Sequence, residues 1–166
     1  MIPTYEKDHL IYLGLGSNIQ PEVYLPKAVA CLGRFLNVVA MSSTWQTKAV
    51  GSSGPDFLNA VISVSTDLSP EDLKYEITCR IEEDLDRVRT SDKNAPRTID
   101  IDVLIYDNQV LDAEIWRQAH LAVPLSEILP GIIEPNTGKT LESIANQLHR
   151  ENPIKPCPGI NLELLD

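Results

Sequence analysis

The sequence predicts an α+β domain in which a four-stranded antiparallel sheet carries two helices on one face. Three observations predict it. The apolar patterns between residues 9 and 106 run strand, helix, strand, strand, helix, strand. Two helical stripes therefore flank a pair of consecutive strands. The last strand, RTIDIDVLIY from Arg97 to Tyr106, alternates branched apolar residues with two aspartates. This order is the split-βαβ, or ferredoxin-like, arrangement, which leaves the second sheet face open for ligands.

Each element has its own signal. His9 to Leu15 reads as a buried strand, and GSN after it as a tight turn. Pro21 opens a helix in which Leu25, Val29, Leu32 and Leu36 recur at helical spacing up to about Asn37. Asn37 to Trp45 reads as the second strand. Gln46 to Asp56 is a long polar loop, the kind that in a compact domain often carries function. Phe57 to Thr66 is the third strand, with Leu58, Ala60, Ile62 and Val64 on its core face and Phe57 and Asn59 on the other. Ser69 and Asp72 form a capping box, and Leu73, Ile77, Ile81 and Leu85 make the stripe of a second helix. Asp86 to Pro96 is a second charged loop.

Beyond Asp112 the patterns weaken. Pro124 to Gly131 predicts one short helical turn, Thr140 to Arg150 a modest helix, and the proline-rich end from Asn152 irregular packing. One domain over residues 1–166 is expected, with a core at about 9–112 and a C-terminal extension at about 113–166.

Composition narrows the function classes. A net charge of −10 argues against a general nucleic-acid binder, because phosphate contacts need positive surface. Yet Arg80, Arg87, Arg89, Lys93 and Arg97 crowd five of the 14 basic residues into one window. An acidic chain with one local basic patch suits a small anionic ligand. No apolar run is long enough to span a membrane, and the charged start MIPTYEKDHL lacks the apolar segment of a secretion signal. Cys31, Cys79 and Cys157 are an odd, scattered set, which favours reduced thiols in a cytoplasm. His9, His120 and His149 show no metal-ligand spacing.

The chemistry concentrates on the fourth strand. Alternation puts Ile99, Ile101, Val103 and Ile105 towards the helices, and Asp100 and Asp102 side by side on the opposite face with Leu104 and Tyr106. Neighbouring carboxylates are costly there unless a cation joins them, and Mg²⁺ is often held by one or two carboxylates plus substrate phosphates. A bare DxD is more often a pair of solvated residues. Here Arg87, Arg89 and Arg97 flank it, and arginine forks match phosphate oxygens. Metal plus arginines is the equipment of phosphoryl transfer. Phe57 beside Asn59 could hold a flat heterocycle by stacking and paired hydrogen bonds. GLGSN, Gly14 to Asn18, matches neither common phosphate-loop pattern, so only Asn18 is expected to touch a ligand. Glu82 reads as one more solvated acid on its helix.

Together these segments resemble the 6-hydroxymethyl-7,8-dihydropterin pyrophosphokinase family. The resemblance rests on YLGLGSN, SSTWQT with the long loop and DFLNAV, RIEEDLDRVR, and above all PRTIDIDVLIY. It implies the ferredoxin-like fold and transfer of diphosphate from ATP to a pterin hydroxymethyl group, releasing AMP, in folate biosynthesis. It implies two Mg²⁺ ions on Asp100 and Asp102, phosphate contacts from Arg89 and Arg97 supported by Arg87, and Glu82 and the backbone at Val103 on the nucleotide side. It further implies a pterin pocket of Phe57, Asn59 and the backbone from Thr47 to Val50, with both polar loops as lids. The partners expected are these two small molecules, for a monomer or a weak homodimer. The chain departs from the family at Asn94, where a tryptophan is usual, and at Cys79, where a glutamine is usual. The segment DNQVLDAEIWRQAHLAVPL is also short and lacks the family's histidine–arginine pattern. Aligned backwards from AVPL, His120 takes the place of a pterin-closing aromatic and Arg117 falls near the missing arginine. A degenerate pterin- or nucleotide-binding module is the alternative. An RNA-binding domain is disfavoured by charge and by the lack of paired exposed aromatics on the central strands.

Overall fold

The computed structural model describes residues 8–49, 51, 54–160 and 162. In chain order the elements are β1 (His9–Ser17), α1 (Pro21–Phe35), β2 (Asn37–Met41), β3 (Trp45–Thr47), β4 (Phe57–Thr66), α2 (residues 70–84) and β5 (Asp100–Tyr106). There follow β6 (Gln109–Val110), a 3-10 turn (Ala113–Trp116), α3 (Ala119–Ile128), α4 (Leu141–Glu151) and β7 (Lys155–Pro156). The strands form one antiparallel sheet ordered β6-β5-β1-β4-β3-β7, with β2 also paired to β4. The predicted β-α-β-β-α-β order is present, and the fold class is the expected α+β type.

Both core helices start where their sequence says. Pro21 sits in the first turn of α1, whose missing N–H costs nothing there. Ser69 caps α2 by accepting the Asp72 N–H at 3.1 Å. Their apolar faces pack Leu25, Val29, Leu32, Leu73, Ile81 and Leu85 against Ile11, Leu13, Leu15, Leu58, Ala60, Ile62, Val64, Ile99 and Ile101. This is the larger of two buried clusters.

The structure differs from the sequence reading in six places. First, β1 continues to Ser17, so Gly16 and Ser17 are strand rather than turn. Second, the segment from Asn37 to Trp45 is broken. Ser42 leaves the ladder, and its hydroxyl accepts the Val61 N–H at 2.9 Å in place of a strand carbonyl.

Third, residues Leu73–Thr78 of α2 form a π-turn. Leu73, Ile81 and Leu85 nevertheless keep the expected core-facing stripe, and Glu82 is buried beside Ile81. Fourth, β5 carries a bulge: Tyr12 pairs with Ile105 but Leu13 pairs with Val103, which leaves Leu104 extra. Alternation reverses there. Ile105 joins Leu104 on the face away from α1 and α2, and Tyr106 turns back towards them.

Fifth, that second face is not wholly open. Tyr12, Val61, Leu104 and Ile105 are covered by Ile115, Ala122, Val123, Leu125, Leu141 and Ala145 of the C-terminal segment, the second buried cluster. Ten residues of α3 replace the single predicted turn, with Pro124 inside the helix. Burying each large side chain here contributes roughly 1.5–3 kcal/mol. Sixth, the proline-rich end is not irregular throughout, since Lys155–Pro156 adds a short strand to β3. The open part of the face is the end carrying Gly16, Asn59 and Asp100.

Candidate functional site

Gly16 pairs with Asn59 on one side and Asp100 on the other, so three adjacent strands bring these residues into one row. A side chain at Gly16 would fill the space. Its Cβ would stand 3.2 Å from Asn59 Oδ1 and 3.9 Å from the Phe57 ring. The absence of that atom leaves a cleft of ≈ 240 Å³ lined by Gly14, Leu15, Gly16, Thr47, Lys48, Phe57, Asn59, Lys93, Asn94, Arg97, Asp100, Asp102, His120 and Leu121. Asn59 is 5% exposed and donates from Nδ2 to the Thr47 hydroxyl at 2.9 Å, which fixes its amide. The Arg97 guanidinium lies 5.8 Å from the centre of the Phe57 ring. A flat, hydrogen-bonding heterocycle fits this combination of aromatic face and oriented amide.

Two further depressions adjoin the cleft. One is lined by Arg87, Arg89, Lys93, Arg97 and Asp100. The other lies along α2 and β5, lined by Lys74, Tyr75, Thr78, Cys79, Glu82, Arg89, Asp100, Asp102, Val103 and Asp112 among others. Asp100 borders all three and Asp102 two of them.

The charges at this junction hold one another. Asp100 accepts from Arg97 Nη1 at 2.6 Å and faces Arg87 Nη2 at 3.7 Å. A second nitrogen of Arg97, Nη2, donates to the Lys93 carbonyl. Glu82 is 2% exposed, takes the Ile101 N–H at 2.8 Å and holds Arg89 Nη2 at 2.5 Å. Burial raises the Glu82 pKa most strongly, the Ile101 hydrogen bond opposes it, and Asp100 raises it further against Arg89 and Arg87. It is therefore no solvated acid but the tie between α2, the arginine loop and the aspartate strand.

The Asp102 carboxylate makes no hydrogen bond or ion pair among the described residues. The residue is exposed on β5, at the edge where the cleft meets the groove along α2, with protein atoms on the sides away from solvent. Burial pushes its pKa up to about 6, with Asp100 and Asp112 adding to the rise and Arg97 and Arg87 opposing it. Burial also lowers the His120 pKa, against the charges of Asp112 and Glu114.

These residues fit a divalent cation of the Mg²⁺ type. No cluster of three acidic, histidine or cysteine side chains exists among the described residues. Two carboxylates at a solvated junction are the usual protein share for Mg²⁺, which takes its remaining ligands from water and phosphate. The buried Nε of Arg87 has no hydrogen-bond partner among the described residues, an unused donor beside the same junction.

Asp100, Asp102, Arg87, Arg89, Arg97, Glu82, Phe57, Asn59, Thr47, Val103 and His120 are thus brought together around one junction. Asn18 is close by but fully engaged: it is 1% exposed, its Oδ1 accepts the Arg97 N–H at 2.7 Å, and its Nδ2 donates to the Pro55 carbonyl at 3.2 Å. It ties the two loops to the end of β1. Val50 lies outside the described residues. Arg117 is not brought to the cleft. It faces Glu114 at 3.5 Å and lines a separate groove with Trp116 and Lys139.

Gly14, Gly16 and Asp112 join the site without having been expected to line it, while Lys93 comes from the predicted basic cluster and Lys48 from the predicted Thr47–Val50 stretch. The glycines carried a signal, since two glycines in a buried strand mark a close approach. Asp112 carried none, because only folding brings it near Asp102. The two loops also meet: a Cβ on Gly51 (φ +69°) would come within 2.9 Å of Asn94 Nδ2.

Comparison with known proteins agrees with this geometry. The family model for 7,8-dihydro-6-hydroxymethylpterin-pyrophosphokinase (HPPK) matches residues 12–130. A protein of Aquifex aeolicus named 2-amino-4-hydroxy-6-hydroxymethyldihydropteridine pyrophosphokinase is 33% identical over 156 residues, covering 88% of this chain and 94% of that one. Its namesake in Haemophilus influenzae is 34% identical, covering 89% of this chain and 98% of that one. Among solved structures, a Plasmodium falciparum HPPK-DHPS with pteroate superposes with a TM-score of 0.71 at 11% identity, which speaks for the fold alone. The match covers 89% of this chain, which spans 44% of that longer one. A strand with two aspartates at a triple junction, a family model over most of the chain and full-length relatives above 30% identity agree: the chain belongs to the 7,8-dihydro-6-hydroxymethylpterin-pyrophosphokinase family of diphosphotransferases.

Proposed function

We propose that this protein transfers diphosphate from ATP to the hydroxymethyl oxygen of 6-hydroxymethyl-7,8-dihydropterin, releasing AMP, with Mg²⁺ bound at Asp100 and Asp102. The observation that carries the reading is the position of Asp100, shared by the Phe57–Asn59 cleft, the arginine groove and the groove along α2. A reaction that joins two substrates through phosphate needs all three to converge.

The residues divide the work. Phe57 stacks on the pterin and the Asn59 amide, held by Thr47, pairs with its edge. His120, kept neutral by burial, closes the cleft from α3. Arg97 and Arg87, which hold Asp100, would contact the phosphate oxygens, with Mg²⁺ held by Asp100 and Asp102. Arg89 stays anchored by Glu82 while its 65% exposed side chain faces the phosphate groove. The groove beside Val103 receives the nucleotide. Bound Mg²⁺ supplies charge neutralisation for the phosphates and polarises the attacking hydroxyl. The loops at residues 47–56 and 86–97 meet at Gly51 and Asn94 and exclude water from the transfer.

The test is turnover. Purified protein, Mg-ATP and the hydroxymethyl-dihydropterin are expected to yield AMP and the pterin diphosphate. A folded protein that produces no AMP would overturn the proposal. One observation favours a second reading, a binding module without turnover: Arg117 stands outside the cleft and no other arginine of the C-terminal segment lines it. Calorimetric binding of pterin or ATP without product would support that reading.

A further inference from the structure

The arginine loop begins at a backbone turn that the side chains of α2 do not explain. Helix α2 ends in a Schellman motif: the Asp86 N–H donates to the Glu83 carbonyl at 3.1 Å and the Arg87 N–H to the Glu82 carbonyl at 2.9 Å. The residue between, Asp86, is left-handed at φ +64°. That position ordinarily takes glycine, because a Cβ there crowds the following carbonyl. Aspartate tolerates it better than most residues but does not favour it.

The group that holds Asp86 there comes from the other core helix. Tyr24 of α1 donates its hydroxyl to Asp86 Oδ2 at 2.9 Å, across 62 residues of sequence. The Tyr24 ring is itself steadied, with Lys27 Nζ 5.8 Å from its centre. On the near side Leu85 is buried in the main core, so the helix end cannot shift to relieve the turn. The next residue is Arg87, and Arg89 comes two later on its tie to Glu82. The direction in which both guanidinium groups leave the helix is therefore fixed by the Asp86 backbone.

We propose that Tyr24 and Asp86 form a latch that sets the pose of Arg87 and Arg89, making both positioning residues for phosphate binding although neither lines the cleft or its grooves. The inference rests on the reading of the arginine groove given above. Tyr24→Phe removes the tether and leaves the packing. Asp86→Ala removes the tether and keeps the Cβ. Asp86→Gly removes both the tether and the need for it.

The experiment compares these variants by amide exchange at Arg87, by trypsin cleavage after Arg87 and Arg89, and by steady-state kinetics. Tyr24→Phe is expected to speed exchange and cleavage and to raise KM for Mg-ATP by about 3-fold, the loss of one exposed hydrogen bond. KM for the pterin should stay unchanged. Asp86→Ala should do more, about 10-fold, since it adds unrelieved backbone strain. Asp86→Gly should stay near the unaltered protein, and adding Tyr24→Phe to it should change nothing further. The latch is overturned if Tyr24→Phe leaves exchange and cleavage unaltered, if KM for pterin moves as much as KM for ATP, or if Asp86→Gly is as damaging as Asp86→Ala. An unaltered protein that makes no AMP counts against the proposed function, while exchange and cleavage still decide the latch.

Discussion

One face of the sheet is divided into two halves that the same strands build in opposite ways. Towards one end β1, β4 and β5 present Gly16, Phe57, Asn59, Asp100 and Asp102, and the face stays open as a polar cleft. Towards the other end they present Tyr12, Val61, Leu104 and Ile105, and α3 and α4 close over them. The border runs through Gly14, whose Cβ would stand 3.2 Å from Leu104 Cδ1. The difference shows how a small sheet supports both a site and a second core. Missing side chains and paired acids keep water in one half, while a bulge doubles the apolar residues facing the other.

The strongest way to test this division is at the acids. Asp100→Ala or Asp102→Ala is expected to lower Mg-dependent AMP formation by at least about 100-fold while circular dichroism and the melting transition keep their native form. Unchanged turnover in either variant would remove the metal from this half. On the packed half, Leu104→Ala should destabilise the protein by about 2–4 kcal/mol in urea unfolding, since Leu104 is fully buried between β1 and α3. Turnover per folded molecule should stay within about 3-fold, and a larger loss would mean that the halves are coupled.

Smaller effects sharpen the border. Gly16→Ala places its Cβ 3.2 Å from Asn59 Oδ1 and should raise KM for the pterin by about 10-fold, with KM for Mg-ATP unaltered. The smallest effect expected is on stability against pH. The Asp102 pKa stands at about 6 in the fold against 3.8 for the ordinary group. A raised carboxyl pKa means the folded state binds the proton more tightly, so its stabilising effect is full below 3.8 and is lost as pH rises through 6. Asp102→Asn, which stays uncharged, should therefore match the unaltered protein near pH 4 and exceed it above pH 6. After allowance for solvent at the cleft mouth, the gain is about 1 kcal/mol. A constant difference across pH 4–7 would show that Asp102 carries no such strain.

Much of this was legible in the sequence because local pattern and tertiary role coincide. Leu58, Ala60, Ile62 and Val64 alternate on β4 and do face the helices, so alternation sets Phe57 and Asn59 correctly on the opposite side. The same reasoning fails past Val103. A bulge inserts one residue without any composition signal, and Ile105 and Tyr106 exchange faces as a result. Glu82 departs from its expected solvated place because its carboxylate takes the Ile101 N–H and the Arg89 guanidinium, partners that spacing along α2 does not reveal. Asn18 lies where the sequence puts it but is fully engaged with Arg97 and Pro55, a pairing that no spacing could indicate.

By itself, then, the sequence determined the order of strands and helices, the acidic pair on β5 and the arginines before it. Each depends on periods of two or four residues, which the backbone geometry of strands and helices imposes locally. Only the tertiary structure decided which half of the sheet face stays open, where Glu82 points, that Asp112 charges the same junction as Asp102, and that Tyr24 steadies the turn into the arginine loop. Those outcomes depend on a strand bulge and on contacts between residues far apart in the chain, and they come from packing rather than from pattern.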